Sequence, residues 1–152
     1  MAMTSYVVSR YTKDIDFVVH LNYSDIPHLT GYFKEGYYCD EDSIKDAIKY
    51  KRLFNIIDHK SNFKADFIIV RDTEFEKIKF ERRRLISFQD LKVYVISPDD
   101  LLLSKLMWIQ ELQSALQSED IIQLSGINDM DWLYIWAWIE KLKLNTFGLI
   151  KK

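Results

Sequence analysis

The chain has 152 residues and a formal charge of −2, with a pI near 5.9. It is long enough for one domain with a sizeable core, and it lacks the basic excess that nucleic-acid or membrane-surface binding calls for. Apolar residues at 48% and aromatics at 14% exclude the disordered class, and the single cysteine, Cys39, excludes an internal disulfide framework and suits a reducing compartment.

No secretory signal and no apolar run near the ~18–20 residues of a membrane span can be read, so a cytoplasmic protein without a membrane partner is expected. Met1-Ala-Met-Thr-Ser5 runs almost straight into the first predicted strand, which leaves no room for a preceding helix. Asp14–Leu21 carries Ile15, Phe17, Val19 and Leu21 on one face and turns apolar on the other at Val18, which predicts a strand buried on both sides. Ser24-Asp25 then opens a short helix to about Phe33, ended by Gly36.

Asp40–Tyr50 reads as an acid-initiated helix with Ile44, Ala47 and Ile48 on one stripe. A hairpin follows, Leu53–Asp58 and Phe63–Val70, around the polar turn His59–Asn62. Thr73–Arg84 predicts an amphipathic helix, and Leu85–Phe88 with Lys92–Ile96 a second hairpin. Ser97-Pro-Asp-Asp100 opens a helix to about Leu112, and Ser118–Leu124 and Met130–Leu142 predict two more. The expected architecture is α+β: a core over 1–96 with a mixed sheet flanked by helices, and a helical extension over 97–152 packed on it.

Three acids stand out. In a strand, i and i+2 share a face, so Asp14 and Asp16 project together with Cα atoms roughly 6–7 Å apart. Two carboxylates this close repel unless a cation relieves them or one takes a proton. A pair so presented suits a magnesium site for phosphoryl-type chemistry. Asp66 interrupts an otherwise apolar strand. An unpaired buried carboxylate costs several kcal/mol, so Asp66 must be exposed, neutralised or bound; an exposed edge strand is the simplest alternative.

Other features have plainer readings. Arg82-Arg83-Arg84 reads as a solvated helix end, with a basic patch for RNA or triphosphate as the alternative. Trp132, Ile135, Trp136 and Ile139 form a core stripe, while Tyr134 and Trp138 fall off it and are candidates for a partner surface. His20, His28 and His59 lack metal-ligand spacing. Cys39 has no base or cationic cradle beside it in sequence.

Arg10-Tyr-Thr-Lys-Asp-Ile-Asp16, Phe63-Lys-Ala-Asp-Phe-Ile68 and Ser97-Pro-Asp-Asp-Leu-Leu-Leu-Ser-Lys-Leu106 resemble, in order and spacing, the R-x-T-x-D-I-D, F-K-x-D-h-I and S-P-E-D-L-I-L-S-K-L patterns of a known family. This is the nucleotidyltransferase fold of the DNA polymerase beta superfamily, and within it the small prokaryotic members related to abortive-infection (type IV toxin–antitoxin) toxins. The resemblance spans roughly residues 6 to 142.

It implies transfer of a nucleoside monophosphate from a nucleoside triphosphate to a hydroxyl on a protein, tRNA or small molecule. Asp14, Asp16 and Asp66 would hold Mg2+ (or Mn2+), and Asp66 would help deprotonate the acceptor. Arg10, Thr12 and Lys105 would contact the triphosphate, and a cognate antitoxin is a possible partner. Active members also carry a Gly-Ser or Gly-Gly pair upstream of the first catalytic strand. The four glycines here, at 31, 36, 126 and 148, include none near Asp14. Two alternatives follow: a start that lacks that helix, or a binding or regulatory module without turnover. A third is an orphan α+β domain whose aspartates are surface caps.

Overall fold

The computed structural model describes residues 14–88 and 90–150; Arg10 and Thr12 lie outside them, and Asp14 is described by its backbone alone. The fold is mixed α+β, with a mixed four-stranded sheet, a separate two-stranded sheet and flanking helices. The described residues divide into two compact units, one ending at Lys77 and the other beginning at Ile78.

In the first unit the sheet order is β1 (Asp14–Val19), β4 (Lys64–Ile69), β3 (Leu53–Asp58), β2 (Tyr37–Cys39). β1 runs parallel to β4, while β3 is antiparallel to both β4 and β2. The hairpin β3–β4 matches expectation: Asp58 closes its turn by accepting from the backbone N–H groups of Lys60 and Ser61. Gly36 enters β2 at φ 81, a left-handed conformation that costs glycine little.

Helices α1 (Ile26–Tyr32) and α2 (Glu41–Tyr50) cover one face of this sheet. Ile26, Ile44, Ala47 and Ile48 pack there with Phe54, Ile56 and Ile69. Helix α2 starts where the sequence demands it, because the Asp40 carboxylate accepts from the Ser43 amide at 2.8 Å. The bonds from Ser43 hold that carboxyl below its ordinary range. A lowered carboxyl stabilises the fold above its unfolded-state value, and that contribution is lost as pH falls through the folded one. Asp40→Ala should therefore melt below wild type at neutral pH, and the gap should close in acid, as thermal unfolding at several pH values would register.

Strand β1 departs from expectation. β1 ends at Val19 and is not buried on both sides: Phe17 and Val18 are 43% and 40% exposed, because among the described residues only β4 lies alongside it. Asp66, by contrast, is not on an edge; β4 sits between β1 and β3.

Helix α3 (Glu74–Glu81) straddles the division between the units, shorter than expected because Arg84 already belongs to a strand. The second unit holds the hairpin β5 (Arg84–Phe88) and β6 (Leu91–Val95). It also holds α4 (Pro98–Ile109), α5 (Ala115–Ser125) and α6 (Trp132–Lys141). Its core joins Leu102, Leu103 and Leu106 of α4, Ile121 and Leu124 of α5, and Ile135, Trp138 and Ile139 of α6. The buried stripe of α6 therefore includes Trp138, and Trp132 and Trp136 are only half-buried. Tyr134 is not a free surface ring either: its hydroxyl donates to Asp100 at 2.6 Å. No helix among the described residues is long and apolar enough to cross a membrane.

Candidate functional site

The strand register places the acids. Asp16 on β1 is the direct partner of Asp66 on β4, and Asp66 the direct partner of Asn55 on β3. Side chains at paired positions of neighbouring strands stand on the same face, with backbones about 4.8 Å apart. Asp16, Asp66 and Asn55 thus form one polar row on the face opposite the helices. Asp14 holds the register position beside Lys64, two positions before the Asp16–Asp66 pair.

What fixes the row lies behind it. Phe17, Phe67 and Phe54 are the next register partners on the same three strands. Phe67 stacks on Phe17 at 5.2 Å and on Phe54 at 5.1 Å, with Phe33, just past the end of α1, edge-on to Phe67 at 6.5 Å. A slip of one residue would send this aromatic row to the other face and the acids into the core, so packing on one side specifies polar geometry on the other.

Asp66 is held from two directions. Asn55 Nδ2 donates to its Oδ1 in a short contact, and Lys64 Nζ donates to Oδ2 at 3.1 Å. The Asp66 side chain is 16% exposed and that of Lys64 36%, so this is a half-buried ion pair, and neutralisation resolves the acid in the apolar strand. Asp16 is exposed.

No protein-family model matches this chain, and no curated protein matches it.

The residues gathered on the row are hard oxygen donors of the kind Mg2+ or Mn2+ prefers. A carboxylate offers about four lone-pair positions, so Asp66 keeps two after its bonds to Asn55 and Lys64, and those bonds orient it as outer partners orient metal-binding carboxylates. In that respect the donor set fits a divalent cation. Among the described residues no cluster of three or more His, Cys, Asp or Glu groups suited to a metal is found; Asp16 and Asp66 are a pair, and the side chain of Asp14 is outside that description. An apolar hollow of about 260 Å3 lies near Phe17, Phe63 and Phe67, on the aromatic side of the sheet and away from the acids.

Lys105, the remaining predicted contact, is engaged in the second unit. Its ammonium donates to Asp120 at 2.8 Å and to Gln117 at 3.1 Å. Arg82 is not a solvated helix end. It donates to Asp100 at 3.2 Å and to Asp99 at 3.1 Å, and its guanidinium lies 3.9 Å from the centre of the Tyr134 ring. Burial works against that guanidinium's charge, but the neighbouring acids outweigh it and hold its pKa above the ordinary value. Burial, then the Asp100 carboxylate, pushes the Tyr134 phenol up.

The sequence alone assigns no role to Asn55 or Lys64. Their signal is present: Lys64 is a polar position on the alternation that Asp66 follows, and Asn55 is a polar position inside the apolar run of β3.

Proposed function

We propose that this chain is a metal-dependent nucleotidyltransferase-fold protein that moves a nucleoside monophosphate from a nucleoside triphosphate to a hydroxyl acceptor. The observation that carries the reading is the direct pairing of Asp16 with Asp66 on parallel neighbouring strands, with Asp14 two residues before Asp16 on the same strand. The motif order along the chain adds to it.

In this reading Asp14, Asp16 and Asp66 hold Mg2+ or Mn2+. A bound ion would supply charge neutralisation for an in-line displacement in which the acceptor oxygen bonds to the α-phosphorus and pyrophosphate leaves. Asp66, through an oxygen lone pair that Asn55 and the ion leave open, would accept the proton of the acceptor hydroxyl. Asn55 fixes the orientation of Asp66. Arg10 and Thr12, just ahead of the acids, bind phosphate oxygens. Lys105 would have to leave Asp120 to meet a triphosphate, and the reading does not need it. A cognate antitoxin and a cytoplasmic setting belong to the same proposal and rest on the motif resemblance alone.

A second reading, a binding or regulatory module without turnover, is favoured by one observation. Lys64 already neutralises Asp66, so the acid row can persist with no metal. The two readings separate in one experiment: the chain with Mg2+, each α-labelled nucleoside triphosphate, and protein, tRNA and small-molecule acceptor pools. Covalent label in one pool, absent with Asp16→Asn, is the expected result. Triphosphate binding by calorimetry with no label transferred to any pool would replace the enzyme with the module.

A further inference from the structure

Lys64 stands on the same sheet face as the acid row, two register positions toward the start of β4. Alternation along β4 puts it on the side of Asp66, and its ammonium reaches Asp66 Oδ2 at 3.1 Å. The register sets Lys64 directly beside Asp14. Lys64 is therefore a cation that the first unit brings against Asp66, on the face where Asp16 also stands.

We propose, resting on the metal-site reading above, that Lys64 is a built-in counter-cation. It holds the acid row together when no divalent ion is bound, and it yields its place beside Asp66 when one binds. The physical case has three parts. First, carboxylates on strands about 4.8 Å apart repel, and one ammonium removes a full charge from that row. Second, the two neighbours of Asp66 differ in reach. Asn55 is a short amide fixed by its cross-strand register, whereas lysine carries a compact charge on a flexible four-carbon stem that can swing toward water. Its 36% exposure leaves that route open. Third, an ammonium within a few ångströms of a bound divalent ion opposes it electrostatically, so Lys64 weakens the bare ion's affinity.

Asn55 thus orients Asp66 and Lys64 neutralises it. Lys64 is a positioning residue, acting on the ion through the carboxylate they share.

The test uses the full chain as wild type, Lys64→Met and Lys64→Arg, melted with and without Mn2+, with Mn2+ affinity measured from the free-ion paramagnetic resonance signal. Without divalent ion, Lys64→Met should melt below wild type and Lys64→Arg should not. Added Mn2+ should raise the melting temperature of Lys64→Met more than that of wild type, and its Mn2+ Kd should fall about tenfold or more. Rescue by arginine and the ion-dependent difference are readouts that a purely structural lysine would not move. Should the Met variant fail to fold, Lys64→Gln replaces it with a polar, uncharged side chain. Equal or weaker Mn2+ binding by the uncharged variant, with wild type binding the ion, would overturn the counter-cation role and leave the metal site standing. No saturable Mn2+ binding by any of the proteins would remove the metal site and this role with it.

Discussion

On the proposed transferase reading, Asp66→Asn is expected to lower nucleotidyl transfer on the order of a thousandfold while leaving the fold intact. The magnitude is that of losing a charged group that acts on the reacting atoms. The fold should survive because asparagine keeps the shape and one acceptor oxygen, and because the strand register is set by the Phe17, Phe67 and Phe54 stack on the opposite face. Removing one of two neighbouring carboxylates relieves repulsion but also gives up the Lys64 ion pair, so the two effects offset and the ion-free melting temperature should stay close to wild type. Unchanged stability with lost transfer is the signature of a functional acid. Rates from the labelled-triphosphate assay, set beside thermal melts of the same preparations, check both halves.

Arg82→Met is expected to be the most damaging surface-adjacent substitution, at about 3 kcal/mol or more. Its partners Asp99 and Asp100 have side chains only 3% and 0% exposed. Breaking a buried pair from one side strands the remaining charge, at a cost of about 3–5 kcal/mol. The lower end applies because Arg82 itself is 33% exposed and because other donors stay in place. Ser97 Oγ and the Tyr134 hydroxyl both donate to Asp100 at 2.6 Å, and the Asp131 amide donates to Asp99 at 2.9 Å. Arg84→Met is the matched control. Its guanidinium is 54% exposed and 4.0 Å from Asp99, so a change within about 0.5 kcal/mol is expected. Denaturant melts of the two variants should differ by several-fold in lost stability; equal losses would contradict the view that the buried acids make the difference.

Much of the fold was legible in the chain, for physical reasons that can be named. Asp40 and Ser97 cap the helices they were expected to open, since a short polar acceptor ahead of a periodic apolar run has few other uses. The β3–β4 hairpin was legible from its alternation and polar turn. The acid row was partly legible: period two gave the shared face of Asp14 and Asp16, but a lone sequence carries no direct sign that Asp66 would be the register partner of Asp16. Strand pairing is a long-range choice, here made by apolar packing on the hidden side.

What was missed follows the same logic. Tyr37–Cys39 is too short a strand to show a period, so β2 was not foreseen. Helix α6 reads Trp-Leu-Tyr-Ile-Trp-Ala-Trp-Ile, in which two overlapping stripes are equally apolar; tertiary packing chose the one containing Trp138. Arg82 looked solvated because nothing in the sequence marks Asp99 and Asp100 as buried acids that need a counter-charge. Lys105 lies on a conspicuous motif, yet its partner Asp120 is fifteen residues away on another helix.

The central claim is that Asp16 and Asp66 together take up a divalent cation, and paramagnetic titration of Mn2+ tests it most directly. Wild type should bind the ion saturably, and Asp16→Asn and Asp66→Asn should each lose that binding while melting like wild type in its absence. Saturable binding undiminished in both variants, or none in folded wild type, would contradict it.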